Sequence, residues 1–408
     1  MTEAVRIRGI AAGGHGVGAL PDGRTVFVPR SAPDDLVELA TVKLSKRFAR
    51  ARVGRLLQSS PARVVPPCPH YEGDDCGGCQ LQHMTSEAQR EARSRIVGDA
   101  LRRIGGLNLP LPPLEPSDRE WEYRAKISLA AKGRRIGYHR LGRPDQVFDL
   151  VHCHLARPEI SRLWTAIRSH RRLLPPNLDR VVLRVDREGG RHAIIHAVGT
   201  TAWTGAPELG RVLDRAGVPA MLWWHPEGGA ARALYGAGAA YPAMVFEQVH
   251  PEMGDRVRAH AVAGLGDVSG KHLWDLYAGI GETTQALVAR GATVESVEVD
   301  RRAVALAERL GPSEGVKRHA SRVEDVLERL RSADAVIVNP PRTGLGEAVA
   351  DRLAARPTDR LVYISCDPAT LARDLGRLEP AYRVTGVKAF DLFPQTAHVE
   401  TVVKATRK

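Results

Sequence analysis

Leu361-Val-Tyr-Ile-Ser-Cys366-Asp-Pro-Ala-Thr-Leu-Ala-Arg-Asp-Leu375 is the stretch on which the fold of this chain turns. Leu361 to Ile364 is a short apolar, β-rich run, the pattern of a strand buried on both faces. Asp367 and Pro368 read as N-cap and first helical position, so a helix is predicted over Ala369 to Leu378. Cys366 is thereby placed at the carboxyl end of a strand and just ahead of a helix N-terminus. Open α/β sheets hold their chemistry there, and the helix dipole favours a thiolate. Position alone leaves a buried structural cysteine as the alternative.

The same alternation of strand and helix runs from about residue 241 to the end, the pattern of a doubly wound, Rossmann-like sheet. Leu273-Trp-Asp275-Leu-Tyr277-Ala-Gly279-Ile-Gly281 reads as a strand ending in a glycine turn, followed by a helix from Glu282 to Arg290. The next strand ends at Glu298-Val-Asp300, and Glu298 lies 19 residues beyond Gly279. A carboxylate at that distance meets ribose hydroxyls. A nicotinamide site would carry a third glycine where Thr284 stands; aspartate ahead of Gly-x-Gly is similar to S-adenosylmethionine sites instead. The strand from Ala333 ends in Asn339-Pro340-Pro341-Arg342-Thr-Gly344, where two prolines forbid helix or ladder pairing and hold Asn339 at the crevice rim. The last run, Pro394-Gln-Thr-Ala-His398-Val-Glu400-Thr-Val-Val403, is expected to end the sheet as an antiparallel strand. His398 and Glu400 would then share a face by period two, with a structural Glu at a sheet edge as the alternative.

Upstream, residues 1–60 read as short strands broken by glycines, a small closed barrel of the OB type. Lys43, Lys46, Arg47, Arg50, Arg52 and Arg55 fall there with no acidic residue among them, which suits the phosphate backbone of single-stranded or looped RNA. The whole chain carries 59 Lys plus Arg against 47 Asp plus Glu, a net charge of +12 that points to a polyanionic partner. Residues 61–240 form a central, mostly β domain, and 241–408 the α/β domain. A helix over 86–104 could pack on the latter. Within the central segment Cys68, Cys76, Cys79 and Cys153 supply four thiols, a tetrahedral donor set open to zinc or an iron–sulfur cluster. Trp223 and Trp224 fit a core or a stacking platform equally. The chain begins without an apolar leader segment and has no apolar run of membrane-spanning length, so a cytoplasmic monomer with no membrane partner is expected.

Several motifs together carry a resemblance. Gly13-Gly-His-Gly-Val-Gly with Val26-Phe-Val-Pro29 resembles the TRAM domain, an RNA-binding barrel. Cys76-Gly-Gly-Cys79-Gln-Leu-Gln-His83, Phe246-Glu-Gln248-Val, Ser365-Cys366-Asp-Pro-x-Thr-Leu-x-Arg-Asp-Leu and Phe393-Pro-x-Thr-x-His-Val-Glu400 resemble the RNA uracil-5-methyltransferases along nearly the whole chain. The resemblance implies Cys366 as nucleophile and Glu400 as general base. It implies Gln248, Tyr277, Glu282, Glu298 and Asn339 as S-adenosylmethionine contacts, and Cys68, Cys76, Cys79 and Cys153 as ligands of a 4Fe–4S cluster, with zinc the less favoured occupant. The substrate implied is RNA, ribosomal or transfer. Two positions depart from the family pattern: Asn339 stands where Asp is usual, and His250 where Asn or Gly follows Gln-Val.

The chemistry agrees. Carbon 5 of uracil is a weak nucleophile until a thiolate adds to carbon 6, and the carbon 5 proton must then be removed by a base. The target base must also be out of its stack, or in a loop, for a thiol to reach it. An RNA cytosine-5-methyltransferase would share this addition. Amine methylation explains Asn-Pro-Pro but not a nucleophilic Cys, and a radical methylthio-transferring enzyme needs a Cys-x3-Cys-x2-Cys run that is absent. A non-catalytic TRAM-type RNA-binding protein leaves Cys366 and Glu400 without a role.

Overall fold

The computed structural model describes residues 4–236 and 244–408. The boundary expected at residues 240–241 lies outside the described residues. Two compact units emerge: Met1–Val65 with Gln80–Ser117 and Glu252–Lys408, and Pro66–Cys79 with Asp118–Pro251.

The first unit contains an eight-stranded sheet in the order Val316–Ala320, Thr293–Glu298, His272–Leu276, Ala335–Val338, Arg360–Ser365, Glu400–Arg407, Tyr382–Phe390, Leu114–Glu115. The first five strands are parallel, and Glu400–Arg407 runs antiparallel to both of its neighbours. Contrary to expectation, that strand does not end the sheet; it is inserted between the Cys366 strand and Tyr382–Phe390. Both faces are buried, which is why the strands read as unbroken apolar runs. Leu273, Ile337, Val362 and Ile364 pack on one side with Met253 and Val257 of the helix after residue 251. Trp274, Val336, Val338 and Tyr363 pack on the other with Leu371 and Leu375.

The expected helix at 86–104 is Ser86–Arg103, N-capped by Thr85, whose hydroxyl accepts from the Ala88 N–H. Val97 and Leu101 join the same core as Leu371 and Leu375, so the helix packs on the α/β sheet unit. At the N-terminus, six strands between Ala4 and Gln58 enclose Val5, Ile7, Val26, Val28, Val37, Leu39, Ala49 and Ala51. The stretch from Ala4 to Ile10 pairs with Leu36–Glu38 at one end and Gly16–Val17 at the other, which closes the sheet on itself. Lys43 and Arg50 face each other across the exposed hairpin of this barrel.

The second unit is a six-stranded sheet in the order Arg232–Tyr235, Met221–Pro226, Arg191–Ala197, Leu178–Val185, Lys126–Lys132, Arg135–Gly137. The helix that the sequence reading places around Pro158 to Leu174 is Pro158–Ser169, and Ala206–Arg215 is a second helix that it does not expect. Pro158–Ser169 and Ala206–Arg215 bring Leu163, Trp164, Leu209 and Leu213 against Leu129, Leu183, Ile195 and Leu222. Trp224 belongs to that core, whereas the Trp223 indole donates to His192 Nδ1 at 3.2 Å. Among the described residues no helix is long and apolar enough to cross a membrane.

Candidate active site

Cys366 follows the strand Arg360–Ser365, and the antiparallel ladder with the final strand ends at the pair Ser365–Thr401. One step further, Cys366 leaves the sheet where Glu400 enters it, so register brings the two near each other. The turn that carries Cys366 is tightly built. Asp367 Oδ1 accepts from the N–H groups of Ala369 and Thr370, each at 3.0 Å, and Ser365 Oγ donates to the Asp367 carbonyl at 3.0 Å. The helix Pro368–Leu378 begins as its Asp-Pro start requires.

The Asn-Pro-Pro-Arg loop meets this turn. Thr370 Oγ1 donates to the Arg342 carbonyl at 3.1 Å, and Asp374, fully buried, accepts from the Leu345 N–H and from Tyr363 Oη at 2.7 Å each. That anchoring brings the Arg342 side chain near the Cys366 thiol, which it pulls toward the charged form. Sequence reasoning quoted Arg342 but gave it no role. Its signal was available, since a cation directly after two rigid prolines at a strand end can only reach into the crevice or out to solvent.

The proton inventory differs from what the helix dipole suggested. Burial pushes the Cys366 thiol up, the neighbouring Glu400 adds to the rise, and Arg342 opposes both. Burial likewise pushes the Glu400 carboxyl up to about 8, again against the pull of Arg342. Desolvation outweighs the dipole because Glu400 is 2% exposed and its Oε2 has no hydrogen-bond partner. The resting site at neutral pH is therefore a thiol beside a carboxylic acid. His398, expected on the same strand face as Glu400, is exposed and lies in the loop before the strand.

On the same edge of the sheet, His272–Leu276 turns through Tyr277, Gly279 and Gly281, all at positive φ of 63°, 57° and 78°. Glu298 orders this turn: its Oε2 accepts from the Gly279 N–H at 2.9 Å and its Oε1 from the Asp300 N–H at 2.8 Å. Thr284, standing where a nicotinamide site has glycine, donates from Oγ1 to Asp275 Oδ2 at 2.6 Å, with both residues buried. Burial pushes the Asp275 carboxyl up to about 6. Tyr277 Oη is buried without a hydrogen-bond partner, Glu282 pairs with Arg258 at 2.7 Å, and Asn339 is held at the rim by its N–H donating to the Leu276 carbonyl at 3.1 Å. Tyr277, Glu282, Glu298 and Asn339 thus flank one crevice beside Cys366. Gln248 belongs to the other unit, half-buried in a segment anchored by the Val249 carbonyl, which accepts from the Ala125 N–H at 2.7 Å. Next to it His250 has a packing role, stacked on Tyr123 at 5.0 Å.

The four remaining cysteines all lie in the second unit, and none is in a disulfide. Cys68 and Cys79 pack with Tyr71, Tyr123 and Leu155; Cys153 touches both this cluster and the main core that includes Cys76. Tyr138 Oη donates to Cys153 Sγ at 3.8 Å, and the Gly78 N–H donates to Cys76 Sγ at 3.4 Å. Among the described residues, however, no three His, Cys, Asp or Glu side chains converge as the ligands of one metal ion.

Comparison with known proteins adds the following. A family model described as tRNA (uracil-5-)-methyltransferase matches residues 307–408. The 23S rRNA (uracil(1939)-C(5))-methyltransferase RlmD of Chromohalobacter salexigens is 32% identical over 99% of this chain and 89% of its own length. An RNA methyltransferase of Corynebacterium efficiens, described as uncharacterized, is 32% identical over 100% of this chain and 95% of its own. Among solved structures, the Pyrococcus abyssi tRNA (uracil-54, C5)-methyltransferase in complex with S-adenosyl-L-homocysteine shares the fold with a TM-score of 0.74 at 24% identity, over 100% of both chains.

Proposed function

Because this chain belongs to the RNA uracil-5-methyltransferase family, we propose that it methylates carbon 5 of a uridine in structured RNA, ribosomal or transfer. Cys366 and Glu400 are its reacting groups. The observation that carries this reading is their meeting at the end of two antiparallel strands, with the Arg342 charge acting on both. Cys366 first loses its thiol proton to water and, as thiolate, forms a bond to carbon 6, and the ring π electrons move to the carbonyl as an enolate that Arg342 is placed to stabilise. S-adenosylmethionine, once bound, supplies an electrophilic methyl group that carbon 5 takes, leaving a neutral thioether. Glu400, as carboxylate, then removes the carbon 5 proton. The 5,6 double bond re-forms and Cys366 is expelled with the electron pair it brought.

Tyr277, Glu282, Glu298, Asn339 and Gln248 are the residues proposed to hold the methyl donor. The buried, unpartnered Tyr277 hydroxyl and the Glu298 carboxylate at the glycine turn support that assignment. The basic N-terminal barrel, read as a TRAM domain, supplies cations for phosphates. For the four cysteines of the second unit we propose a 4Fe–4S cluster, which would be structural or RNA-positioning. Cys68 and Cys79 pack together with Cys153 against them, and four thiols can each meet one iron of such a cluster.

The test is direct. Purified enzyme should place the label of methyl-labelled S-adenosylmethionine on carbon 5 of one uridine, in either a 23S rRNA or a tRNA transcript. Cys366→Ala should bind RNA yet transfer no methyl. Methylation by Cys366→Ala, or label found on cytidine, would remove this assignment.

A further inference from the structure

Glu400 is delivered by a loop that cannot be held by water. Between Phe390 and Glu400, the residues Asp391, Gln395, Thr396 and Ala397 are each 7% exposed or less, and buried backbone groups must find partners within the protein. Those partners come from a distant part of the chain. The Gln395 carbonyl accepts from the N–H groups of Gln80 and Leu81 at 3.2 and 3.1 Å, and the Ala397 N–H donates to Gln80 Oε1 at 3.4 Å. Gln89 makes a two-way contact: its Oε1 accepts from the Gln395 N–H at 3.1 Å, and its Nε2 donates to Gln395 Oε1 at 2.9 Å. Arg93 donates to the Thr396 carbonyl at 2.9 Å and pairs with Asp391 at 2.8 Å, the two side chains being 1% and 2% exposed. Gln395 itself sits at φ 69°, a left-handed conformation that costs a non-glycine residue about 1 kcal/mol or more. The loop's shape is therefore imposed by its partners.

From Thr401 onward the sheet fixes the last strand on both sides. At Glu400 the ladder continues only toward Phe390, and the side facing Cys366 has no strand pairing. What sets Glu400 against Cys366 is thus the loop. The N-terminal barrel closes over the same contact: a Cβ on Gly14 would lie 2.5 Å from the Gln80 Cβ and 3.1 Å from that of Ala397, and φ there is 79°, so only glycine fits.

We propose that Gln80, Gln89 and Arg93 form a clamp of positioning residues that holds Glu400 for proton removal at carbon 5. None of the three touches the reacting atoms. The clamp governs the last step, release of the methylated base from Cys366, and leaves addition and methyl transfer to groups that it does not hold. This inference rests on Glu400 being the base.

Gln89→Leu in the full-length protein removes the two-way contact at nearly constant volume. Turnover should fall tenfold or more, with KM for RNA and for S-adenosylmethionine within about twofold. A methylated, Cys366-dependent protein–RNA adduct should accumulate on a denaturing gel, as it should in Glu400→Gln. A general loss of structure would diminish adduct and product together. If Gln89→Leu does not fold, Gln395→Ala, which removes only the acceptor of Gln89 Nε2, is measured in its place with the same expectation. Normal turnover in the folded variant, or lost turnover without adduct while Glu400→Gln does form it, overturns the clamp. Normal turnover in Glu400→Gln itself overturns instead the base assignment on which the clamp rests.

Discussion

Asp391 and Glu400 stand at the two ends of one buried loop, each 2% exposed, yet Asp391 Oδ2 is paired with the Arg93 guanidinium at 2.8 Å while at Glu400 burial outweighs the pull of Arg342. Burying a carboxylate costs several kcal/mol unless it is paired and hydrogen-bonded. At Asp391 that cost is offset by a guanidinium which also holds the Thr396 carbonyl. At Glu400 the cost stands, and it is visible as a carboxyl pushed up to about 8 by burial. The contrast separates two uses of the same chemical group. A carboxylate paired with a buried guanidinium fixes the chain, whereas one buried without such a pair becomes a strong base once it ionises.

Paired amide substitutions put the largest strain on this comparison. Glu400→Gln should lower turnover by about 10²–10⁴, the usual contribution of a general base, and should leave the folded state as stable as before or more so. Asp391→Asn should instead destabilise the protein by about 3 kcal/mol, because Arg93 would remain as a buried charge without a counterion. Denaturant unfolding and the multiple-turnover release of methylated RNA distinguish the two. Equal stability losses in both variants would mean that Glu400 is as fixed in the structure as Asp391.

The chemistry of this pair was more legible in the sequence than its support. Cys366 announced itself through local pattern alone, an apolar run followed by Asp-Pro, and the strand and helix stand where that pattern places them. Glu400 was found through its motif, but its strand was expected at the end of the sheet, since nothing local tells that a last strand will insert between two others. Gln89 and Arg93 were invisible. The helix Ser86–Arg103 was read from Ala88, Ala92 and Ile96, and binary patterning sends a Gln and an Arg to solvent. Both are buried because of partners some 300 positions away in sequence, Gln395 and Asp391. The helix Ala206–Arg215 was missed although Leu209 and Leu213 have helical spacing, because Gly205 and Pro207 read locally as loop.

The pH dependence sharpens the comparison with a smaller, graded effect. Glu400 has an ordinary value of 4.5 and is pushed up to about 8 in the folded protein by burial, against Arg342. The folded state therefore holds one more proton between these values. The corresponding stability is complete below about 4.5 and is lost as pH rises through about 8. The rate of proton removal from the methylated adduct should move the other way, rising about tenfold per pH unit until Glu400 ionises near 8 and then levelling. Rates of proton removal and denaturant midpoints, measured from about pH 6 to about pH 9, should thus change in opposite directions in the wild type. In Glu400→Gln both trends should flatten. A rate limb well below 7 would show that water or substrate relieves the burial of Glu400.

The smallest effect concerns a third position on the crevice, where an amide stands in place of a carboxylate. Uracil offers a donor at nitrogen 3 and an acceptor at oxygen 4, and cytosine offers the reverse. Asn339, exposed in this structure, can turn either its carbonyl or its amide toward the base, so weak discrimination against cytosine is expected. A carboxylate in its place accepts only. Asn339→Asp should therefore raise the preference for uridine over cytidine by about tenfold, equivalent to about 1.4 kcal/mol, measured as the ratio of kcat/KM on RNAs differing at the target base. The new charge would also oppose ionisation of Glu400 and move the activity limb to higher pH, so the comparison belongs on the plateau above that limb. There the two effects separate: an unchanged or smaller base preference would show that position 339 does not read the base edge, while an upward shift of the limb alone would show that it acts on Glu400 through charge.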